Sequence, residues 1–189
     1  SSAAFILFLS TAFPQITLEA PIRFFEFMPN TPGTLYALPV KGLLRSTDSG
    51  VSWTQVPIRS RKSQPPALFW LAFSPQTAAT IYVCGDSIEG AIAWKTVDGG
   101  LNWSSISQGL PTMEGRRCEQ LEPIGANLYA QVSGGPDDSW ELFKSTNGGE
   151  SWTRLGSAPR QIAISPSSPA QMYYPSGYNV YRSQNEGQT

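Results

Sequence analysis

The chain has 189 residues, enough for one substantial hydrophobic core, and its formal net charge of −1 provides no broad field that would recruit nucleic acid or an anionic membrane. It contains no histidine, which excludes Ser–His and Cys–His nucleophile pairs and every histidine-based zinc site. Only 14% of the residues are charged, whereas 17 glycines, 16 prolines and 12% aromatic residues favour many short strands joined by turns. The composition therefore predicts an all-β protein.

The first segment, residues 1–12, reads SSAAFILFLSTA and differs from the rest of the chain. Its apolar run is followed by the small residues Ser10, Thr11 and Ala12, a pattern typical of the end of a secretory signal peptide. We therefore expect a truncated signal-peptide remnant and a secreted or extracytoplasmic protein. A buried strand of a preceding repeat is the alternative. The run is too short to span a bilayer.

A phrase of eight residues recurs along the remainder of the chain. It reads STDSGVSW at 46–53, TVDGGLNW at 96–103 and STNGGESW at 145–152, and a fourth copy, SQNEGQT, starts at Ser183. The first three copies are about 50 residues apart. A fixed period of this length indicates a repeat architecture, in which each copy belongs to one supersecondary unit.

Short strand-like segments surround each copy in a constant order. The first type comprises residues 22–29, 68–75 and 161–166, and the second comprises 34–38, 80–84, 127–131 and 171–174. The third type comprises 42–46, 92–96, 141–145 and 179–183, and the last, after each tryptophan, comprises 54–58, 104–106 and 153–155. Four short antiparallel strands in a unit of this length are typical of a β-propeller blade. The prolines and the glycine pairs argue against a helical repeat.

The repeated phrase resembles the Asp-box, or bacterial neuraminidase repeat, of sialidase-like β-propellers. That group also includes xyloglucan-active glycosidases, sortilin-type receptor domains and photosystem assembly factors. The resemblance covers about residues 20–189 and implies that residues 13–189 form a bacterial Asp-box propeller. Its blades of four antiparallel strands are expected at approximately 20–58, 67–107, 118–156 and 160–189. Three and a half to four blades suggest a fragment of a six- or seven-bladed propeller, whose missing blades or self-association would cover the exposed blade edges.

The chemistry of the phrase predicts a structural role. The Asp or Asn at its third position can accept hydrogen bonds from main-chain N–H groups of its own turn, and the glycine can adopt positive φ. The tryptophan can pack between neighbouring blades. The residues given this role are Asp48, Gly50, Trp53, Asp98, Gly100, Trp103, Asn147, Gly149, Trp152, Asn185 and Gly187. One carboxylate in a turn is far below the oxygen count that calcium takes, so no metal ion or cofactor is predicted.

In propellers that this chain resembles, the Asp-box turn joins the third and fourth strands and faces away from the ligand. The opposite face then receives the loops at 38–41, 85–90, 133–140, 59–66, 108–117 and 156–160. The predicted ligand-binding residues on it are Arg59, Arg61, Glu114, Arg116, Arg117, Arg160 and Trp140. Trp140 is either a sugar-stacking platform or partial core. Candidate catalytic carboxylates on these loops are Asp86, Glu89, Asp137 and Asp138, because glycoside hydrolysis requires two carboxylates. Ordinary solvated loop acids are the alternative.

The two cysteines, Cys84 and Cys118, are too few for a four-cysteine metal site. They form either a disulfide in an oxidising compartment or two buried thiols. The sequence leaves both states open.

No catalytic phrase accompanies the repeat. The early F-R-I-P phrase of sialidases is not matched, because Pro21, Ile22 and Arg23 stand in a different order. The predicted function is therefore a secreted, non-catalytic scaffold that binds a carbohydrate or a protein on its loop face, without nucleic acid and without an integral membrane segment. The alternative is a fragment of a secreted glycoside hydrolase, xyloglucanase-like rather than sialidase, with an acid/base pair on loops opposite the Asp-boxes. A third interpretation is an assembly factor that binds a subunit of a membrane complex. Enzymatic activity, if present, would be that of a glycosidase.

Overall fold

The structure is a computed structural model that describes residues 21–58, 65–86, 90–134 and 138–187. Within these ranges the chain forms fifteen strands in four antiparallel sheets. Sheet I contains β1 (Ile22–Phe27), β2 (Leu35–Pro39), β3 (Leu43–Ser46) and β4 (Thr54–Val56), and sheet II contains β5 (Leu68–Phe73), β6 (Ile81–Gly85), β7 (Ala93–Thr96) and β8 (Ser104–Ser105). Sheet III contains β9 (Arg117–Ile124), β10 (Asn127–Ser133), β11 (Glu141–Ser145) and β12 (Thr153–Ser157), and sheet IV contains β13 (Ala163–Ile164), β14 (Met172–Ser176) and β15 (Asn179–Ser183).

Each strand pairs with its neighbours in the sequence, so every sheet is a simple meander. This confirms the predicted all-β fold built from four-stranded antiparallel sheets. In the described part of the chain no helix has the length and apolar character needed to cross a membrane.

The first strand of sheet III was not recognised in the sequence. Strand β9 is polar at Glu119, Gln120 and Glu122, so it lacks the apolar run that marks β1 and β5. It nevertheless buries Cys118 and Leu121 completely. A register shift opposite Gln131 and Val132 interrupts its pairing with β10, as a β-bulge does.

Neighbouring sheets pack face to face and enclose three hydrophobic clusters. Sheets I and II meet through side chains such as Tyr36 and Val83, and sheets II and III through Tyr82 and Leu121. Sheets III and IV meet in a smaller cluster that contains Met172. Each large apolar side chain buried in this way contributes roughly 1.5–3 kcal/mol to stability. The packed apolar faces therefore hold neighbouring sheets together, in the order in which they occur along the chain.

The meander divides the connections between two edges of the sheets. One edge, here called the motif edge, carries the turns between first and second strands and the motif turns, which are residues 46–53, 96–103, 145–152 and 183–187. Main-chain bonds join these two kinds of turn: Ser49 N to Gly33 O (2.9 Å), Gly99 N to Ala79 O (2.9 Å) and Glu186 N to Ala170 O (3.0 Å).

The opposite edge, here called the loop edge, carries the connections between second and third strands and those from one sheet to the next. Its main-chain bonds are Gly42 N to Pro66 O, Asp86 N to Ala67 O and Ala158 N to Trp140 O, each at 2.8 Å. Antiparallel pairing therefore separates the repeated phrase from the candidate ligand-binding loops.

Candidate functional site

A serine or threonine hydroxyl organises every motif turn. Ser46 Oγ accepts hydrogen bonds from the main-chain N–H groups of Gly50 (2.8 Å) and Asp48 (3.3 Å), and it donates to Asp48 Oδ1 (2.8 Å). This arrangement uses the full capacity of a hydroxyl, which has one donor and two lone pairs. The equivalent hydroxyls are those of Thr96, Ser145 and Ser183. Sequence reasoning missed this role, although the first position of all four copies is Ser or Thr.

The acidic or amide side chain at the third position closes the turn. Asp98 Oδ1 accepts from the main-chain N–H groups of Leu101 (3.0 Å) and Asn102 (2.9 Å). Asp48 accepts from the N–H of Ser52 at 2.8 Å, and Asn147 accepts from the N–H of Ser151 at 3.0 Å. These side chains act as Asx-type acceptors within their own turns.

Hydrogen bonding also keeps the two aspartates of the motif turns ionised. The hydroxyl and the N–H of Ser52 lower the pKa of Asp48 to about 2. The N–H of Asn102 and the hydroxyl of Thr96 hold the pKa of Asp98 well below its ordinary value. A carboxyl group of this kind is a poor proton donor near neutral pH. Asp48 and Asp98 are therefore unsuited to act as general acids.

The lowered pKa values predict a specific acid sensitivity. Because the folded pKa of Asp48 lies below the unfolded value of about 3.9, its contribution to stability is present above pH 4 and is lost as the pH falls toward 2. We expect the melting temperature of the wild-type chain to fall more steeply over this window than that of Asp48→Asn/Asp98→Asn. Thermal unfolding followed by circular dichroism from pH 5 to pH 2 measures the difference. Parallel curves for the two proteins would contradict the prediction.

The tryptophans of the motif turns make their contacts inside the protein. Trp152 is 8% exposed, lies in the cluster between sheets II and III, and donates from Nε1 to the carbonyl oxygen of Ile106 at 2.7 Å. Trp53 and Trp103 donate from Nε1 to the glycine carbonyls of their own turns at 3.1 Å. Their indole N–H groups are thus satisfied inside the protein.

An ion pair that is mostly shielded from solvent organises the loop edge of sheet III. Arg116 Nη1 lies 2.9 Å from Glu141 Oε2, and the two side chains are 11% and 15% exposed. Arg154 Nε binds the other carboxylate oxygen of Glu141 at 2.6 Å. Arg116, which was predicted to face a ligand, is therefore bound by Glu141. The Glu141 carboxylate connects the segment before β9 to β11 and β12. Neither Glu141 nor Arg154 was expected from the sequence.

A second group at the same edge combines charge with an aromatic ring. The guanidinium of Arg160 lies 5.9 Å from the centroid of Trp140, and its Nη2 is 3.7 Å from Asp138 Oδ2. The side chains of Arg160 and Asp138 are 76% and 78% exposed. Trp140 is half-buried, so one part of its ring packs and another part remains accessible. This group is open to a ligand.

Asp86 and Arg117 join sheets II and III. Their main chains form an isolated antiparallel bridge, and Arg117 Nε lies 3.9 Å from Asp86 Oδ2. The side chains of Arg117 and Asp86 are 53% and 40% exposed, so water screens the ion pair and makes it weak. Glu114 is also exposed. Four other predicted residues, Arg59, Arg61, Glu89 and Asp137, lie outside the described residues.

Two candidate carboxylates, Asp86 and Asp138, thus lie on the loop edge of different sheets, and each has an arginine partner. An acid/base pair built from them stays a prediction. Burial raises the pKa of another carboxyl group, Glu122, but this residue lies near the end of β9 at the motif edge. Glu122 therefore does not join the candidate site.

An exposed aromatic residue was missed in sheet IV. Tyr178 lies in the turn between β14 and β15, which belongs to the loop edge, and its side chain is fully exposed. The fourth repeat contains the sequence PSGYN, and an aromatic residue in a short turn was the available signal. Together with Trp140 it adds aromatic surface to the loop edge.

The two cysteines are buried free thiols in the structure. Cys84 Sγ donates to the carbonyl oxygen of Cys118 at 3.1 Å, and burial raises the pKa of the Cys84 thiol. The two thiols are therefore not joined in this structure, and a disulfide between them in an oxidising compartment stays a prediction. Both sulfur atoms lie within the cluster between sheets II and III.

Comparisons with known proteins show which proteins have a similar fold. No protein-family model matches the chain. It is 27% identical over 123 residues to a xyloglucanase of Hypocrea jecorina (strain QM6a); the match covers 64% of this chain and 14% of that protein. The structure is similar to a GH74 enzyme of Niastella koreensis (TM-score 0.64, 18% identity) over 87% of this chain and 28% of that one.

The GH74 xyloglucanase of Xanthomonas campestris gives a TM-score of 0.65 at 19% identity, over 87% of this chain and 28% of that chain. The chain therefore spans less than a third of the length of these proteins. Its four sheets have the fold of successive blades in a GH74-like β-propeller.

Proposed function

We propose that this chain contributes blades to a glycoside hydrolase-like propeller and that its loop edge binds a xyloglucan-type polysaccharide. The observation that carries the proposal is the 27% identity over 123 residues to a xyloglucanase. The shared fold of GH74 enzymes supports it. Because the chain covers only 14% of that xyloglucanase, hydrolysis is assigned to a larger propeller and polysaccharide contact to these blades.

The motif turns are assigned in this proposal to Asp-box repeats. Their support is the hydroxyl-centred network that recurs with the same partners in all four sheets. A fourfold recurrence in one chain is typical of a scaffold element. The loop edge is accordingly the surface left for a ligand.

Two aromatic side chains at the loop edge are suited to a sugar ring. Tyr178 is fully exposed, and Trp140 is half-buried and held by Arg160. Sugar rings present C–H faces to aromatic rings, and neighbouring polar groups such as Asp138 and Arg160 can hydrogen-bond their hydroxyls. We also propose an extracytoplasmic location, because a polysaccharide such as xyloglucan is a substrate that lies outside the cell.

The proposal predicts that the aromatic side chains contribute to binding. Trp140→Ala and Tyr178→Ala are each expected to weaken binding to soluble xyloglucan by about five- to tenfold, which corresponds to about 1 kcal/mol. Affinity electrophoresis and calorimetric titration with the purified chain measure the effect. Phe27→Ala is the matched control, because Phe27 is 61% exposed but lies toward the motif edge.

The proposal fails if the wild-type chain does not bind xyloglucan, or if Phe27→Ala weakens binding as much as the loop-edge variants. Release of reducing sugar measures hydrolysis separately from binding. Loss of turnover on Asp86→Ala or Asp138→Ala in the complete propeller, with binding retained, would indicate that carboxylates of these blades take part in hydrolysis and would argue against a non-catalytic scaffold.

A further inference from the structure

The contact between sheets II and III contains both cysteines of the chain, one on each side. Cys84 lies on β6 of sheet II, and Cys118 lies on β9 of sheet III. Both side chains are completely buried, and both belong to the hydrophobic cluster that these two sheets share. The cysteines therefore meet across an interface between successive sheets.

Strand pairing defines the position of Cys118 within its repeat. In sheet II, Leu68 pairs with Gly85 just before a register shift in the pairing of the first two strands. In sheet III, Cys118 pairs with Val132 just before the corresponding shift. Leu68 and Cys118 are therefore counterparts on the first strands of their sheets.

The position of Cys84 follows from the same pairing. Leu38 pairs with Phe24 just after the register shift of sheet I, and Cys84 pairs with Trp70 just after that of sheet II. Leu38 and Cys84 are therefore counterparts on the second strands, and both are buried.

The junction between sheets I and II shows what these two positions contribute elsewhere in the chain. Leu38 of sheet I and Leu68 of sheet II are both buried in the cluster between those sheets. At the next junction the same two positions are Cys84 and Cys118. An apolar pair at one junction thus corresponds to a cysteine pair at the next. A covalent link requires cysteine on both sides, whereas a single cysteine would serve only as a small apolar residue.

The two cysteines approach each other closely in the structure. Cys84 Sγ donates to the carbonyl oxygen of Cys118 at 3.1 Å. Beside them, the main chains of Asp86 and Arg117 form an antiparallel bridge. Continuing this register by one residue places Gly85 opposite Cys118, so the Cα atoms of Cys84 and Cys118 are about 5–7 Å apart. Disulfides span Cα separations of about 4.4–6.8 Å, so this separation is compatible with one.

Burial determines when the two thiols can react. It raises the pKa of the Cys84 thiol, and the neighbouring Cys118 thiol raises this pKa further. The thiolate is the form that attacks a disulfide, so oxidation of the packed interface is expected to be slow. Both thiols are accessible before sheets II and III pack together. Oxidation is therefore expected during folding, after which packing shields the bond.

We propose that Cys84 and Cys118 form a disulfide that joins sheets II and III when the chain folds in the presence of a disulfide oxidant. The thiolate of one cysteine attacks a sulfur atom of the oxidant, which releases one oxidant thiol and leaves a mixed disulfide. The thiolate of the other cysteine then displaces the second oxidant thiol. The two cysteines lose two electrons and two protons, and the oxidant takes them up as its two thiols. The proposal is independent of what the loop edge binds.

The disulfide would fix the junction of sheets II and III at the loop edge. Cys84 precedes Asp86 by two residues, and Cys118 directly follows Arg117. The ion pair of Asp86 and Arg117 is weak by itself because water screens it. A covalent bond beside it would hold these two side chains in register.

Refolding of the reduced, urea-unfolded 189-residue chain tests the proposal, in a buffer of oxidised and reduced glutathione and, separately, in dithiothreitol. Each product is alkylated with N-ethylmaleimide in urea without further reduction and is then analysed by intact-mass spectrometry. The chain from the glutathione buffer is expected to take up no label, and the chain from dithiothreitol two labels. Because the bond constrains the unfolded chain, the oxidised chain is expected to melt on the order of 10 °C higher than the reduced chain.

A double variant provides the matched control. Cys84→Leu combined with Cys118→Leu copies the Leu38 and Leu68 pair of the first junction. It is expected to melt at the same temperature after refolding in either buffer. Cys84→Ala combined with Cys118→Ala gives the same comparison with smaller side chains.

Three outcomes would overturn the proposal. The first is a wild-type chain that keeps two free thiols after refolding in the glutathione buffer. The second is a chain whose cysteines carry glutathione or are joined to a second chain. The third is an oxidised monomer that melts no higher than the reduced one, because the folded junction would then not fit the bond.

Discussion

Glu141→Leu is expected to lower the free energy of unfolding by about 3–5 kcal/mol, the range for breaking a buried ion pair by removing one partner. The substitution leaves the guanidinium of Arg116, whose side chain is 11% exposed, without its carboxylate. It also removes the carboxylate that binds Arg154 of β12. Urea denaturation monitored by tryptophan fluorescence measures the change.

Two further variants separate the buried charge from general packing. Arg154→Leu should cost less than about 1 kcal/mol, because the Arg154 side chain is 51% exposed and its ion pair is screened by water. Arg116→Met combined with Glu141→Leu should recover much of the loss, since no unpaired charge remains buried. A Glu141→Leu variant that is no less stable than Arg154→Leu would contradict the prediction.

Gly149→Ala is expected to destabilise the chain by about 2–5 kcal/mol, through backbone strain and overpacking together. Gly149 has a φ of 95°, a conformation that L-residues rarely adopt. A Cβ atom at this position would lie 2.9 Å from the Cβ and Cδ1 atoms of Ile106, in the neighbouring sheet. The third motif turn therefore cannot accommodate alanine without moving away from sheet II. Thermal and urea unfolding measure the loss.

Two glycines provide matched controls for this variant. Gly125 has a φ of 59°, but a Cβ atom added there would meet no other atom within 4 Å, so Gly125→Ala reports backbone strain alone, about 1 kcal/mol. Gly156 has ordinary φ and equally open surroundings, so Gly156→Ala should be nearly neutral or slightly stabilising. Equal losses for Gly149→Ala and Gly125→Ala would show that the approach of Ile106 contributes nothing.

Most of the fold was predictable because its information is local and repeated. The motif turns at Ser46 and Thr96 satisfy their own backbone groups, and short apolar runs such as β6 identify strands of the same units. Strand β9 was missed because it is polar and is identified chiefly by its pairing with β10. The division into a motif edge and a loop edge followed from the strand order.

The candidate site was predictable as a surface but not as a set of partners. Arg116 lies at the loop edge just before β9, but its pairing with Glu141 of β11 joins positions 25 residues apart in the sequence. Asp138, Arg160 and Trp140 meet for the same reason, through the return of β12 past β11. The spacing of residues along the sequence does not predict such contacts.

The amino-acid sequence by itself determined the turns, the period and the polarity of each sheet, because hydrogen bonds and φ preferences inside one turn need no distant partner. The tertiary structure decided how the repeats meet. The hydroxyl of Tyr36, for example, finds its acceptor only when the Gly99 turn of the next sheet is packed against it. Face-to-face packing brings together donors and acceptors from different repeats, and that contact turns a local motif into an interface between sheets.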